Sequence, residues 1–449
     1  MTTLSVAPPR ARIPLALTGL FLAVFLGMLD AQAVSTALPG IAAEFGGTGS
    51  FAWVTTAYLL AGSVTAPVYG KLGDLFGRKR VLLAALVLFL AGSLACGLAG
   101  RATTLIVARV LQGAGSGGLF VSVGATIGEL FPPREGAKYF GWFSVCFAVA
   151  SLAGPVAGGL LTEVAGWRWI FLINLPVGAL ALVAVATFLQ LPKRRRDSPF
   201  DIAGVLLLGG AITGLTLLTP WSVPLGVVLA IAFVLVERRA TAPVLPLRLF
   251  ADRTFTLSAV LSLLAGFAFL GSVNYLAVFL QKVAGADPAT AGVLLVPMTF
   301  AVAVSSVVSG RLISRTGRYR WAPITSMALG LLAVLAMTTL DEHSTLPAVI
   351  GCLTVFGLAA GLNIQVLSLA AQNTAAREDL GAVSATVALF RSLGSALGPV
   401  ALGAVFSAEL DTGHYAAATH GVFLAMLPAL AIGLVATLAL PRVQLRSKH

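Results

Sequence analysis

Charge is what this chain has least of. Asp, Glu, Lys and Arg make up 10% of its 449 residues, against about 25% in a soluble globular domain. Hydrophobic residues make up 58% and the mean hydropathy is +0.96, which excludes a surface covered by water. Cysteine is also scarce. Cys96, Cys146 and Cys352 each lie within an apolar run, with no CxxC and no Cys/His spacing, so a disulfide framework and a metal site are both excluded. The four histidines, His343, His414, His420 and His449, pair with no carboxylate at a spacing that makes a site. No GxxxxGK[ST] is present, so ATP is not indicated as an energy source. No nucleophile–base pair supports an enzyme. The net charge of +12 comes in short clusters between apolar runs, whereas a nucleic-acid binder gathers basic charge on a polar domain.

What the chain has in abundance is apolar runs. Between charge and turn clusters they cover 14–38, 53–70, 81–99, 103–128, 139–161, 169–190, 202–218, 222–236, 255–280, 290–310, 321–339, 347–371, 381–407 and 420–440. Each is read as a membrane helix, for which about 20 apolar residues suffice. The first could be a leader, with Arg10 and Arg12 ahead of Leu15–Leu29 and Ala31-Gln32-Ala33 resembling a cleavage site. Apolar character continues to Leu38, which favours a span. If the N-terminus is cytoplasmic, 24 of the 29 basic residues fall in inside loops or at the two ends, and only Arg101, Arg168 and Lys282 fall outside. That asymmetry places both termini in the cytoplasm. Runs seven and eight are short and carry Pro220 and Pro224. The basic clusters at 193–196 and 238–253 must share one side, so this insert is a two-span hairpin or, alternatively, a re-entrant one.

The two halves of the chain repeat each other. Gly70-Lys71-Leu72-Gly73-Asp74-Leu75-Phe76-Gly77-Arg78 and Gly310-Arg311-Leu312-Ile313-Ser314-Arg315-Thr316-Gly317-Arg318 both read GxLxxxxGR, 240 residues apart. Gly154-Pro155-Val156-Ala157 returns as Gly398-Pro399-Val400-Ala401, and Arg134-Glu135 as Arg377-Glu378, at offsets of 244 and 243. The expected organisation is an all-α membrane protein of 14 transmembrane helices: a six-helix bundle over 1–192, a linker with two inserted helices over 193–254, and a second six-helix bundle over 255–449. Such repeats place a substrate site at their interface near the bilayer midplane.

In the loop Gly70–Arg80, Gly70 and Gly77 permit a tight turn. Asp74 can face a helix N-terminus, and Arg78, Lys79 and Arg80 can pair with it or with anionic headgroups. A basic topogenic turn needs only the cations; the full spacing with Asp74 points to a gate. In Gly154-Pro155-Val156-Ala157-Gly158-Gly159 the proline kinks its helix and the glycines let a neighbour approach closely. Asp30 and Arg109 are charges inside apolar runs, functional candidates by default. Asp30 lies nine residues before Pro39 and Arg109 eight after Arg101, about 13 and 12 Å from the same side. A static ion pair joining two helices is the plainer reading of the two. Polar candidates for a cavity lining are Gln32, Ser35, Asn274, Tyr275, Asn363 and Gln365, with Arg391 as a further buried charge. Glu129 reads as an interfacial charge.

Gly70 to Arg80 resembles the loop-2/3 signature of the major facilitator superfamily. Leu29-Asp30-Ala31-Gln32-Ala33-Val34-Ser35-Thr36-Ala37-Leu38-Pro39 is similar to the first-span signature of its fourteen-span drug:proton antiporters, the EmrB/QacA type. Arg109-Val110-Leu111-Gln112-Gly113-Ala114-Gly115, Ala153 to Gly159, Trp167 to Gly178, Leu247-Arg248-Leu249-Phe250 and Gln281…Gly285…Gly292…Pro297 also match that branch. The resemblance implies proton-coupled efflux of small hydrophobic drugs by alternating access, with Asp30, Arg109 and Gln112 in proton coupling. It implies that the bend at Gly154, Pro155, Gly158 and Gly159 seals one face of a cavity. Gln32 and Ser35 stand where the family usually has Thr and Asn, and no acidic residue lies within spans nine to fourteen. That disfavours a dicationic substrate. A dedicated exporter of a self-made metabolite, a nutrient symporter and a non-transporting sensor are the alternatives. No bound cofactor is expected, the proton gradient being the energy source. The expected partners are membrane lipids and a small hydrophobic or weakly charged substrate, with no nucleic acid, for a monomer in a bacterial inner membrane.

Overall fold

The computed structural model describes residues 13–45, 51–191, 201–217, 219, 221–240, 243–363, 365–376, 378–410 and 415–446. Among the described residues all regular structure is helical. An apolar chain in lipid must satisfy every backbone N–H and C=O internally, and a helix does so within one segment. The helices in chain order are α1 (Ile13–Phe45), α2 (Phe51–Phe76), α3 (Arg78–Gly97), α4 (Ala102–Leu130), α5 (Pro133–Ala165), α6 (Arg168–Leu172), α7 (Asn174–Phe188), α8 (Ile202–Leu217) and α9 (Ser222–Glu237). They continue with α10 (Arg253–Ala265), α11 (Val273–Lys282), α12 (Pro288–Leu294), α13 (Val296–Thr316), α14 (Trp321–Met337), α15 (Leu346–Asn363), α16 (Val366–Thr374), α17 (Leu380–Leu410) and α18 (Tyr415–Leu438).

Each of the fourteen apolar runs is occupied by a helix or by two helices in line. Among the described residues ten such segments are long and apolar enough to cross a membrane, and α8, α9 and α14 are shorter apolar helices. α10 passes into α11 through one π-turn, Gly266–Leu270, where Gly271 N–H donates to Gly266 O at 2.9 Å. α15 ends at Asn363 and α16 begins at Val366.

The chain divides into two compact units: Met1–Leu130 with Val149–Leu247 and Ala376–Ala385, and Phe131–Ala148 with Arg248–Ala375 and Thr386–His449. In the first, glycines bring α2, α3 and α4 to backbone contact. A Cβ on Gly113 would lie 2.2 Å from Tyr58 O, one on Gly117 2.2 Å from Gly62 O, and one on Gly115 2.4 Å from Phe89 N. The α8–α9 hairpin closes where Gly214 meets Gly226, and α8 leans on α2 where Gly209 faces Val64. In the second unit, Gly357 and Gly361 of α15 meet Met298 O and Val302 O of α13. Around them Phe269, Phe279, Met327, Phe356, Phe423 and Leu430 form an apolar core.

The repeat seen in the sequence has a matching geometry. Gly154 and Gly158 of α5 press on Gln32 and Ala33 of α1, as Gly398 of α17 presses on Phe267 and Gly271 between α10 and α11. Gly70 of α2 meets Gly381 O at the start of α17, as Gly310 of α13 meets Ala137 O near the start of α5. Gly77 and Gly317 have φ of 91° and 71°, a left-handed backbone that glycine adopts without a Cβ clash.

Candidate functional site

Asp30, Arg109 and Gln112 meet in the first unit. α1 presents Asp30, only 1% exposed, toward α4, where Arg109 and Gln112 lie one turn apart on the same face. Arg109 Nη1 donates to Asp30 Oδ2 at 2.5 Å and to Gln112 Oε1 at 2.7 Å. Gln112 Nε2 donates to Asp30 Oδ1 at 2.8 Å. A second amide reaches the same oxygen: Asn174 Nδ2, from the first turn of α7, at 2.9 Å. Behind both amides stands Ser93 of α3. Its hydroxyl accepts from Gln112 at 3.1 Å and Asn174 at 3.0 Å and donates to Phe171 O at 2.8 Å. Arg109 Nε donates to Val54 O at 3.1 Å, and the guanidinium stacks 4.0 Å from the Tyr58 ring centroid, an attraction between cation and ring face. The Tyr58 hydroxyl donates to Gly27 O at 2.9 Å and lies 2.7 Å from Ser116 Oγ.

Every polar group facing the Asp30 carboxylate is a donor, and an ionised carboxylate only accepts. A proton on Asp30 would need an acceptor in place of one of these donors, which requires an amide to turn or Arg109 to withdraw. Ser93, Asn174 and Tyr58 were not singled out by the sequence. Asn174 was visible only as one polar residue in an apolar motif, and Ser93 and Tyr58 carried no signal.

The second constellation is the loop from α2 to α3. Asp74 Oδ1 and Oδ2 accept from the backbone amides of Gly381 and Ala382 at 3.1 and 3.0 Å, at the N-terminus of α17, where a carboxylate is favoured. Asp74 lies past the apolar run 53–70. Burial pushes its carboxyl up to about 6, with the Arg78 charge and the Ala382 and Gly381 amides pulling it back down. Arg78 is buried between Asp74 at 3.1 Å and Glu129 at 3.0 Å and also donates to Ala125 O. Glu129 is thus a partner of the loop and not a lone interfacial charge. Lys79 Nζ donates to Ala186 O at 2.7 Å, and Arg80 is exposed. In the repeat, Ser314 replaces Asp74. There Arg134 donates to Ser314 O at 3.0 Å and Arg315 O at 2.5 Å, so backbone carbonyls take over the carboxylate's place as acceptors.

In the fifth-helix motif, Gly154 and Gly158 hold α5 against α1, but a Cβ on Gly159 would meet nothing within 4 Å; Pro155 lies inside α5. The proposed lining residues have local partners in several cases. Gln32 Nε2 donates to Ser151 Oγ at 2.9 Å, Ser35 Oγ to Gln32 O at 2.7 Å, and Tyr275 OH to Pro399 O at 2.5 Å. Asn363 is fully buried, and among the described residues neither its Nδ2 nor its Oδ1 has a hydrogen-bond partner. Gln365 lines a small cavity in the second unit with Phe140, Ser306, Ser309 and Leu369. Arg391 lies on α17 beside Gly266, whose Cα faces the Arg391 carbonyl. The Asn274 side chain lies outside the described residues.

A sequence model described as the Major Facilitator Superfamily matches residues 20–399. An uncharacterized MFS-type transporter of Mycobacterium tuberculosis is 38% identical over 420 residues, 90% of this chain and 61% of that protein, so the chain spans about three fifths of this relative's length. The multidrug transporter protein MdtP of Bacillus subtilis is 33% identical over 414 residues, 89% of this chain and 76% of that one. The efflux pump dotC of Dothistroma septosporum is 36% identical over 411 residues, 87% and 70% of the two chains. Among solved structures, the human organic anion transporter MFSD10 (TETRAN) superposes with a TM-score of 0.71 at 18% identity, covering 96% of this chain and 100% of that one. The proton:xylose symporter XylE gives 0.69 at 15%, covering 97% of each; at these identities the likeness is one of fold. A match over most of the length, an all-helical fold of that kind and relatives above 30% identity agree, and the chain belongs to the Major Facilitator Superfamily, a family of multi-pass membrane transporters.

Proposed function

We propose that this chain is a proton-coupled exporter of small hydrophobic or weakly charged compounds, working by alternating access in a bacterial plasma membrane with both termini cytoplasmic. The observation that carries the reading is the buried carboxylate of Asp30, held only by donors. Asp30 carries the coupling proton, and Arg109, with Gln112, Asn174 and Ser93, sets when it is taken up and released. The clasp of Asp74 on α17 and the α1–α5 contact at Gly154 and Gly158 act as gates that form and break during the cycle. Gln32, Ser35, Asn274, Tyr275, Asn363, Gln365 and Arg391 contribute to substrate contacts. Relatives named as a multidrug transporter and as an efflux pump favour export over uptake. Assignment to the fourteen-span EmrB/QacA-type antiporters rests on the motifs and on the α8–α9 insert. With 16 residues each, α8 and α9 are about 24 Å long, enough to cross where the bilayer thins locally. The transporter works as a monomer without a bound cofactor.

The test is transport in proteoliposomes under an imposed pH gradient, with substrates first chosen by growth of a drug-sensitive host on a compound panel. Asp30→Asn is expected to abolish gradient-driven accumulation while still binding substrate. Full accumulation by that variant removes Asp30 as the carrier, and accumulation by the parent that ignores the gradient removes proton coupling altogether.

A further inference from the structure

A second pair of acids, outside the Asp30 network, lies at the foot of the inserted hairpin. Asp201 stands just before α8, and its Oδ1 accepts from Gly204 N–H at 2.8 Å, capping that helix. Glu237 ends α9; its side chain is only 3% exposed, and its Oε1 accepts from Leu245 N–H at 2.5 Å. Each carboxylate therefore spends one oxygen on the backbone. The other oxygens, Asp201 Oδ2 and Glu237 Oε2, are buried, and among the described residues no N–H or O–H reaches them. Both point at Gly204: a Cβ there would lie 2.4 Å from Asp201 Oδ2 and 2.9 Å from Glu237 Oε2. Two acceptors that face each other in a buried place, each already committed on its far side, are compatible only if a proton lies between them, because two carboxylates sharing a site do not both ionise readily.

We propose that Asp201 and Glu237 bind one shared proton and thereby form a latch that holds the α8–α9 hairpin closed at its foot, against the end of α2 that carries Lys71. Among the described residues the groups facing the pair are few. Lys71 on α2 acts on Glu237 by its charge; Arg238 and Arg239 continue from α9 and are exposed, and residues 243–247 offer only backbone. Glu237 is one residue past the apolar run 222–236. Burial pushes its carboxyl up to about 7, Asp201 adds to the rise, and the Leu245 amide and Lys71 oppose it. A carboxyl raised in the closed arrangement favours that arrangement in acid. The advantage is lost as pH rises through about 7, when two buried negative charges push the foot of the hairpin apart. Lys71 stands three residues before Asp74, so the latch meets the α2 end that carries the α17 clasp. The proton here is distinct from the one assigned to Asp30.

The full-length protein in lipid nanodiscs provides the test. Amide hydrogen exchange over 201–209 and 237–247, corrected for intrinsic rates, is measured at about pH 6 and about pH 8, either side of the value to which the Glu237 carboxyl is raised. The parent is expected to lose several-fold of its protection at the higher pH. Glu237→Gln, whose amide donates to Asp201 without titrating, is expected to stay protected at both; Asp201→Asn, with its amide facing Glu237, serves the same purpose if the first variant does not fold. Infrared difference spectra between the two pH values should show a protonated-carboxyl component that is lost in Glu237→Gln and retained in Asp74→Asn and Asp30→Asn. Equal protection of the parent at both pH values, a folded amide variant that follows the parent, or difference spectra that Glu237→Gln leaves unchanged overturns the latch. None of these outcomes depends on whether Asp30 couples transport.

Discussion

Arg109 is fully buried and, among the described residues, pairs with one carboxylate, Asp30. Breaking a buried ion pair from one side leaves the other charge without compensation, at about 3–5 kcal/mol, whereas replacing both partners by neutral groups is far less costly. Arg109→Gln is therefore expected to lower the melting temperature strongly in detergent, and the double variant Asp30→Asn/Arg109→Gln to recover most of the loss. A double variant no more stable than Arg109→Gln would mean that the pair is not what the surrounding helices depend on. The three residues at the centre, Asp30, Arg109 and Gln112, were legible in the sequence because polar groups in apolar runs stand out. Ser93 was not, since a serine in a membrane helix commonly bonds its own preceding turn, and only the arrival of two amides from α4 and α7 gives this one its role. Asp201 and Glu237 were hidden for the opposite reason, as acids at the ends of apolar runs look like ordinary interfacial charges.

At the scale of elements, contacts between helices are set by which glycines meet backbone. Gly117→Ala would place a methyl group 2.2 Å from Gly62 O, where neither backbone can yield. The expected loss is about 1–3 kcal/mol, read as a lower melting temperature and less protein in the membrane. Gly159→Ala enters open space and is expected to leave both unchanged, although the motif alone treats Gly159 like Gly154 and Gly158. The Asp74 clasp joins α2 to the start of α17. Asp74→Asn retains an acceptor but stays neutral at every pH, the form that the buried site favours, so the clasp opens less readily and a slower transport rate at equal abundance is expected; an unchanged rate leaves the loop as a simple turn. Because the clasped carboxyl stands near 6 against an ordinary 3.8, the clasp is favoured most below the ordinary value. That advantage fades as pH rises through about 6 and is constant above it. Exchange protection of the Gly381 and Ala382 amides should follow this profile in the parent and not in Asp74→Asn.

For the molecule as a whole, the number of bilayer crossings turns on the α8–α9 insert. The structure has ten segments long enough by themselves and three shorter ones among the described residues, while the positive charge calls for an even number of crossings between 193–196 and 238–253. A reporter fused after Arg239 is expected to signal cytoplasm and one fused near Trp221 to signal the outside. A cytoplasmic signal near Trp221 would make α8 and α9 a non-crossing insert. Trp221, 87% exposed at the tip of the hairpin, is the kind of amphipathic residue that settles at a membrane interface.

The sequence by itself determined that the chain is a helical membrane protein built on a repeat. An apolar chain with so few charges has no other way to satisfy its backbone in lipid, and the GxLxxxxGR and GPVA segments mark the two halves. It also marked where charge stands inside the membrane. It did not determine which face of each helix meets which neighbour. In a water-soluble helix a polar face declares the outside, but here lipid-facing and protein-facing sides are both apolar, and the hydrophobic pattern loses its direction. Only the tertiary structure decided that Asn174 and Ser93 complete the shell of Asp30, that Arg78 links Asp74 to Glu129, and that Asp74 reaches amides more than 300 positions away in the chain. Those meetings follow from close backbone approach at particular glycines, and a glycine in the sequence does not say what will come to lie against it.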